Sequence, residues 1–327
     1  MLTRMKTYWS PLLFCVFLGA IFSTSCAVAS DLRLGFIGTD TSHVVELTKL
    51  LNNPSAPEHV PGAVVVAAFK GGSPDIPLSR NRVEGFSKEL KDKWHIPFVE
   101  QIRDLCPLVD GILIESIDGR AHLDQFRQAA VCGKPIFIDK PLASTLSDAQ
   151  EIAKIAESHK IPGFSSSSLR FGGAQSLHSP NISGALVWGP GPFEVYQQLD
   201  LSWYAIHAIE ALFTIMGPDV EQVTRTYSPD ADVVTGIWKG GRIGTVRAQR
   251  PYSTFGAVVF RTNNNQPIVN SNLESGTGYP PLVQAIVKFV QTGAPPVSNH
   301  ETLKIYEFMD AAQHSRDHGG IPVDVAK

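Results

Sequence analysis

VDGILIESIDGRAHLDQFRQAAVCGKPIFIDKPLA, residues Val109–Ala143, predicts a strand, a helix and a second strand in succession. Gly111–Glu115 is apolar and β-branched, as in a buried parallel strand, and apolar residues at helical spacing follow it (Leu123, Phe126, Ala130 and Val131). Gly133 ends the helix, and Pro135–Ile138 forms the next strand. Lys140 therefore lies just past the carboxyl end of a strand, where open α/β sheets bind their ligands.

The same alternation of strand and helix extends on both sides of this stretch. It predicts strands at Leu32–Ile37, Val64–Phe69 and Pro97–Val99, and helices at His43–Leu51, Arg80–Lys93 and Leu146–His159. Strands that alternate with helices form a parallel, doubly wound sheet with right-handed crossovers. The sequence therefore predicts an α/β chain with a Rossmann-type dinucleotide-binding domain over residues 31–168.

Beyond Ser168 the pattern changes and predicts a second domain over residues 169–327. Phe171–Pro192, rich in Gly, Ser, Asn and Pro, predicts a loop that crosses into it. The predicted elements that follow are a helix at Trp203–Met216 and strands at Phe193–Leu199, Val220–Tyr227, Val233–Trp238, Ile243–Gln249 and Ala257–Arg261. Successive strands favour a mainly antiparallel open sheet in an α+β domain.

These motifs together resemble the Gfo/Idh/MocA family, the glucose-fructose oxidoreductase and inositol dehydrogenase group of NAD(P)-dependent oxidoreductases. Asp139-Lys140-Pro141 is similar to its Glu-Lys-Pro signature, and His122, Gly133-Lys134 and Arg170 are further points of similarity. The segment from Pro280 to Val325 resembles the family's closing two helices and last strand. The resemblance implies NAD or NADP as cofactor, a sugar, cyclitol or other carbohydrate derivative as substrate, C-terminal helices that pack back, and a homo-oligomer.

The turn after the first strand departs from the dinucleotide fingerprint, which needs glycine at three places. Those places hold Gly38, Asp40 and His43, so only the first is met. Either the hydroxyls of Thr39, Thr41 and Ser42 and the helix N-terminus bind pyrophosphate, or the turn has lost its dinucleotide.

Four further residues complete the predicted cofactor-binding set together with Lys140. Lys70 stands where an acidic residue would contact the adenosine ribose, and it suits a 2′-phosphate or is merely a surface lysine. Glu115, His122 and Asp139 lie at the ends of the two central strands or in the helix between them.

The resemblance implies that Lys140 is the catalytic lysine, followed by a cis peptide bond to Pro141. His207 is the second predicted catalytic residue, because the family places a substrate-facing histidine on this helix. Its usual aspartate partner is replaced by Trp203, so Tyr204 is an alternative proton carrier. We expect Arg170 and Trp203 to contact the substrate, although a structural salt bridge and core packing explain them equally well.

Two other functions remain open at this point. Some relatives recycle the cofactor within the site to cleave glycosides, which makes a hydrolase or lyase an alternative. A carbohydrate-binding protein that kept the fold and lost the cofactor is another.

The ends and the composition predict an exported protein with a small-molecule ligand. Residues 1–30 carry Arg4 and Lys6, an apolar run and Ala27-Val28-Ala29, the layout of a secretory signal peptide, and Cys26 leaves a lipoprotein anchor open. The net charge is −3 and the sequence has no block of basic residues, which argues against a nucleic-acid partner. We expect the two remaining cysteines, Cys106 and Cys132, to be buried thiols rather than a disulfide, and no spacing predicts a metal.

Overall fold

The structure is a computed structural model that describes residues 6–7, 30–274 and 278–325. Contacts divide the chain into two units, residues 1–30 and residues 31–327. The predicted signal peptide and the possible anchor at Cys26 lie outside the described residues except at positions 6, 7 and 30. Within the described part of the chain, no helix has both the length and the apolar character needed to cross a membrane.

A parallel sheet of six strands forms the first half of residues 31–327, in the order β3-β2-β1-β4-β5-β6. Its strands are β1 (Leu32–Ile37), β2 (Ala63–Phe69), β3 (Phe98–Val99), β4 (Gly111–Ile114), β5 (Ile136–Asp139) and β6 (Gly163–Ser166). The helices that connect them are α1 (His43–Asn52), α2 (Pro77–Asp92), α3 (Gly119–Ala130) and α4 (Leu146–Ser158). The strand order reverses between β1 and β4, which is where doubly wound sheets bind ligands.

The predicted Rossmann-type sheet is thus confirmed, and its central strands are apolar for a physical reason. β4 and β5 are buried on both faces, with Ile112, Ile114, Ile136 and Ile138 fully enclosed. A strand covered by helices on both sides has no solvent face, so its sequence is continuously apolar. The carboxyl ends of these strands carry Glu115 and Asp139 into the interior.

A mixed, mainly antiparallel sheet of seven strands forms the second half, in the order β12-β11-β7-β10-β9-β8-β13. The only parallel pair among these described strands is β7 with β10. The strands are β7 (Ile182–Pro190), β8 (Val220–Tyr227), β9 (Ala231–Trp238), β10 (Arg242–Gln249), β11 (Gly256–Arg261), β12 (Asn264–Asn270) and β13 (Val323–Asp324). The helices are α5 (Gly173–Leu177), α6 (Ile206–Met216), α7 (Pro280–Thr292) and α8 (Asn299–Asp317).

Helices cover one face of the second sheet and return to the first. α6 packs on β7 and β10, and α8 packs on β8 and α4. α7 inserts Leu282, Ile286 and Phe289 into the core beside Leu34 and Phe36 of β1. The C-terminal helices therefore pack back on the first sheet, and the division of this unit into two domains near Ser168 stays a prediction.

Two predicted elements around residue 190 are wrong. Ile182–Pro190 is a central strand and not a loop, because its glycines make room for neighbours: a Cβ at Gly189 would lie 2.3 Å from the ring of Phe255. Phe193–Leu199 is a loop and not a strand. Its polar groups bond to the first sheet's loops, with Gln198 N–H donating to Ser144 Oγ over 3.1 Å.

Cys106 and Cys132 form a disulfide with a Cα–Cα distance of 4.9 Å, so the expectation of two thiols is wrong. The bridge joins the short 3₁₀ helix before β4 to the end of α3, and both cysteines are half-buried. Sequence spacing could not decide this, because the two residues meet only after α3 has returned beside that helix.

Candidate active site

A cavity of about 150 Å³ lies outside the carboxyl ends of β5 and β6 and contains all three predicted catalytic residues. Lys140 follows β5 directly, whereas Tyr204 lies just before α6 and His207 lies in its first turn. The cavity is lined by His43, Asp139, Lys140, Ser167, Ser168, Leu169, Tyr204, His207, Phe255, Glu274, Tyr279 and Leu282. Residues from both halves of the chain therefore form one small, largely polar chamber.

Lys140 enters the cavity beside aromatic side chains. The peptide bond between Lys140 and Pro141 is cis, which confirms that prediction. Lys140 Nζ lies 5.7 Å from the centroid of the Tyr204 ring, within reach of a cation–π contact. Lys140 directly follows Asp139 in the chain, so its positively charged ammonium group is carried by the residue next to that buried carboxylate.

His207 is held as a neutral imidazole. Its Nδ1 lies 2.7 Å from Ser167 Oγ, and no described residue hydrogen-bonds to Nε2. Burial, and then the charge of Lys140, lower the pKa of His207 well below 6.5, although Asp139 acts in the opposite direction. A neutral imidazole with one free nitrogen can accept a proton at neutral pH.

Tyr204 is a weaker candidate for proton transfer than the sequence suggested. Burial, and a hydrogen bond with Tyr252, raise the pKa of the Tyr204 phenol far above its ordinary value of 10. The ring packs edge-on against His207, with the centroids 5.1 Å apart. Tyr204 thus forms an aromatic wall of the cavity and keeps its proton.

A short contact between His43 and Asp139 lies at one side of the cavity. His43 Nδ1 is 2.7 Å from Asp139 Oδ2, and the His43 ring packs on Tyr279 at a centroid distance of 5.0 Å. Burial alone would raise the pKa of Asp139, but the charge and hydrogen bond of His43, together with Lys140, outweigh it and lower the pKa. Asp139 is therefore an anion in this enclosed place.

The structure places Arg170 and Trp203 outside the cavity lining. Arg170 Nε donates to Glu210 over 2.7 Å, and its Nη1 donates to Glu301 over 2.6 Å. Glu210 in turn accepts a hydrogen bond of 2.7 Å from Ser167 N–H. Arg170 thus makes the structural salt bridge that the sequence had left open, and it fixes the strand end that holds His207. Trp203 is half-buried at the end of the 3₁₀ helix Asp200–Ser202.

His122 also has a connecting role. Its ring is fully buried, with Nε2 2.7 Å from the carbonyl oxygen of Ser116 and Nδ1 2.8 Å from that of Pro141. It therefore joins the loop after β4 to the loop after β5, and its ring nitrogens are not directed at a ligand groove.

A larger groove of about 880 Å³ lies outside the carboxyl ends of β2 and β3, between α2 and α3. Lys70, Gly71 and Gly72 line it, as do Lys88 and Lys91 of α2. On a Rossmann-type sheet this is the place of the adenosine half of a dinucleotide. Lys70 forms an ion pair with Glu84 at the groove edge, so its ammonium already has one anionic partner.

The turn between β1 and α1 makes close contacts and hydrogen bonds with other parts of the protein. Gly38 has a φ of +90°, and a Cβ there would lie 2.1 Å from Ser116 Oγ, so glycine is required. Asp40 is fully buried and accepts hydrogen bonds from Ser79 Oγ over 2.6 Å and from Ile117 N–H over 3.2 Å. Its carboxylate therefore points away from any phosphate, and burial raises its pKa.

The hydroxyls predicted to bind pyrophosphate differ in whether they already hydrogen-bond within the protein. Thr39 Oγ1 bonds to the Lys70 carbonyl and to Ser87, and Thr41 Oγ1 accepts from His43 N–H. Ser42 is exposed at the start of α1 and makes no capping bond. Ser42 and the first turn of α1 are thus the donors available between the groove and the cavity.

These observations fit a nicotinamide dinucleotide at its two ends. The groove beside Lys70 has room for adenosine, and the cavity beside Lys140 lies on the other side of the switch point. Between them the N-terminus of α1 would supply the contact to phosphate that the missing glycines do not.

The cavity residues that were not identified from the sequence include Phe255, Glu274 and Tyr279. Each stands in a stretch between elements, where no strand end or helical period singles out a side chain. Tyr279 does precede Pro280-Pro281 at the start of α7, which is a recognisable helix start. That signal identifies the helix and not the direction of the tyrosine.

Comparison with known protein families finds a match for part of the first sheet. Residues 79–164 match the model of the Gfo/Idh/MocA oxidoreductase family, NAD-binding Rossmann fold. The predicted resemblance is confirmed. With it, the expectation of an NAD-binding sheet of an oxidoreductase family is confirmed over residues 79–164. The match begins after the divergent turn at Gly38 and covers the stretch that contains Lys140.

Solved structures share the fold over nearly the whole chain at low identity. Myo-inositol dehydrogenase of Lactobacillus casei, in complex with NAD(H) and myo-inositol, is 17% identical with a TM-score of 0.67, covering 91% of this chain and 98% of its own. Apo scyllo-inositol dehydrogenase of the same organism is 15% identical with a TM-score of 0.68, at 91% and 99% coverage. GenD2 from gentamicin A biosynthesis, in complex with NAD, is 15% identical with a TM-score of 0.70, at 91% and 97% coverage. No curated protein sequence matches.

Proposed function

We propose that this protein is an NAD(P)-dependent dehydrogenase that oxidises a hydroxyl group of a small polyhydroxylated molecule, a sugar, a cyclitol or a related polyol. The single observation that carries the proposal is the convergence of Lys140 and a neutral His207 in one cavity at the carboxyl end of β5. The family match and the inositol dehydrogenases that share the fold support it.

The cavity residues divide the work of alcohol oxidation. A bound nicotinamide would supply the hydride acceptor. His207 Nε2 accepts the hydroxyl proton, because the pKa of His207 is low enough to keep the ring neutral. Lys140 orients the same oxygen and stabilises the negative charge that develops on it. Ser167 holds the imidazole through Nδ1.

The chemistry of the walls supports a hydroxyl-rich substrate. Ser167, Ser168 and Glu274 offer hydroxyl and carboxylate oxygens, whereas Tyr204 and Phe255 offer ring faces. Sugars and cyclitols present hydroxyl groups at their rims and C–H groups on their faces, so this mixture matches both.

Cofactor release and binding test the proposal. The protein is purified, denatured, and its supernatant assayed for nicotinamide dinucleotide; the cofactor-free protein is then titrated with NAD and NADP. We expect either retained cofactor or saturable binding, followed by reduction in the presence of a polyol panel. No released cofactor and no binding at millimolar concentration would contradict the proposal and favour a carbohydrate-binding role. Turnover of a glycoside without net reduction would favour cleavage.

We also propose that the protein acts outside the cytoplasm. The Cys106–Cys132 disulfide supports this, because such bonds persist in oxidising compartments. Fractionation of the native host, with an antibody against the protein, tests it: a cytoplasmic pool of full-length chain would contradict export.

A homo-oligomer formed through the open face of the second sheet is a further part of the proposal. Ile237 and Ile243 lie opposite each other on β9 and β10 and are exposed, as are Phe260 and Val269 at the far edge. Exposed apolar side chains on a sheet favour burial against a second copy. Sedimentation should give a mass above 35.5 kDa, and a monomer at micromolar concentration would contradict this.

A further inference from the structure

We propose that His43, Glu115 and Asp139 form a binding site for a divalent transition-metal ion at the wall of the cavity. One ligand atom from each of the three side chains lies within 4.8 Å of the others: a ring nitrogen of His43 and a carboxylate oxygen each of Glu115 and Asp139. These residues come from the start of α1 and from the ends of β4 and β5, on the two sides of the switch point. The rigid central strands thus hold the ligands in place.

Glu115 is the observation that points to a missing ligand. Its side chain is 1% exposed, and neither carboxylate oxygen has a hydrogen-bond partner in the described structure. Buried polar groups are nearly always hydrogen-bonded, and an orphan of this kind calls for an ion or a water molecule that completes it. Asp139 differs, because His43 already contacts it.

The donor set indicates the class of ion. An imidazole with two carboxylates suits Zn²⁺, Mn²⁺ or Fe²⁺, whereas Mg²⁺ and Ca²⁺ prefer oxygen ligands alone. The two carboxylates balance the charge of a divalent ion in a place where an unpaired charge would be costly.

One side of the site faces the cavity. His43 and Asp139 line the cavity, whereas Glu115 does not, so the free coordination positions of the ion face the chamber that holds Lys140 and His207. Three protein ligands with an open position are the usual arrangement when a metal contacts a substrate. The ion would there be within reach of a substrate hydroxyl oxygen.

The test uses the full mature chain freed of metal with a chelator, with no nicotinamide present. A calorimetric titration with Zn²⁺ should show that one ion binds per chain. Glu115→Gln and His43→Gln should each weaken binding by at least about tenfold, since even groups that only support metal ligands contribute that much. Glu46→Gln, a charge change on the solvent side of α1, should leave the affinity unchanged.

A second measurement needs no variant. Mn²⁺ bound to the unaltered protein should show a nitrogen hyperfine coupling from the His43 ring in pulsed electron paramagnetic resonance. Absence of saturable Zn²⁺ binding, an affinity unchanged in Glu115→Gln, or Mn²⁺ bound without nitrogen coupling would each overturn the site. Because no cofactor or substrate enters either assay, these outcomes leave the proposed dehydrogenase activity to its own test.

Discussion

Ser167 Oγ and His207 Nδ1 lie 2.7 Å apart, so the residue after β6 fixes the ring that faces Lys140. The serine is held in turn by Glu210, which pairs with Arg170. A chain of contacts therefore runs from a buried ion pair to the imidazole. The orientation of His207 depends on the strand end as much as on its own helix.

The first prediction concerns the pH dependence of the proposed oxidation. Burial and Lys140 lower the pKa of His207 well below 6.5, so the ring loses its ability to accept a proton only when the pH falls through that lowered pKa. We expect kcat/KM to stay constant as the pH falls to 6.5 and to decline only when the pH falls through that lowered pKa. In Lys140→Ala, nuclear magnetic resonance should show the pKa of His207 raised, because a nearby positive charge is gone. A His207 pKa unchanged in that variant would contradict the arrangement.

The second prediction separates His207 from Tyr204. His207→Gln should lower kcat/KM by roughly 100-fold or more, as expected for loss of a general base. Tyr204→Phe should lower it by less than about tenfold, because the phenol keeps its proton and contributes a ring face. Circular dichroism serves as the control for folding. The reverse order of effects would assign proton transfer to the tyrosine.

The third prediction distinguishes a structural from a substrate-binding Arg170. Arg170→Ala leaves Glu210 buried without its cation and should lower the free energy of unfolding by about 3–5 kcal/mol in urea denaturation. Arg127→Ala, which removes an exposed partner of Glu151, should change it by less than about 0.5 kcal/mol. A stable Arg170→Ala protein with a raised KM would instead indicate substrate contact.

The fourth prediction concerns the disulfide. Cys106 and Cys132 are 26 residues apart, and breaking such a bridge should lower the free energy of unfolding by about 3 kcal/mol. The double variant Cys106→Ser, Cys132→Ser and the reduced natural protein should lose the same amount in urea. Equal stability with and without reductant would show that the bond does not contribute.

Sequence reasoning found the first sheet and the candidate catalytic lysine for one physical reason. β4 and β5 are enclosed on both faces, so each leaves a continuous apolar run, and Lys140 follows the second run directly. The strand β7 was not predicted, because its glycines and proline are typical of a loop. In the fold the glycines leave room for aromatic rings such as that of Phe255.

The candidate site shows a similar limit. Lys140 and His207 could be predicted because a motif and a helix each identify one residue. The group of His43, Glu115 and Asp139 could not, since its members follow three different strands and share no spacing. Only the strand order, which brings β1, β4 and β5 side by side, places them together.

The most direct test of the central claim is whether this protein reduces NAD or NADP when it is given a panel of sugars, inositols and other polyols. The reaction is monitored through the absorbance of the reduced nicotinamide. The natural protein should reduce one of the two cofactors with at least one member of the panel. Lys140→Ala should lose roughly 100- to 10,000-fold in kcat/KM, whereas Lys154→Ala, on the exposed face of α4, should retain full activity. Undiminished turnover in Lys140→Ala would contradict the assignment of the cavity as the reacting centre.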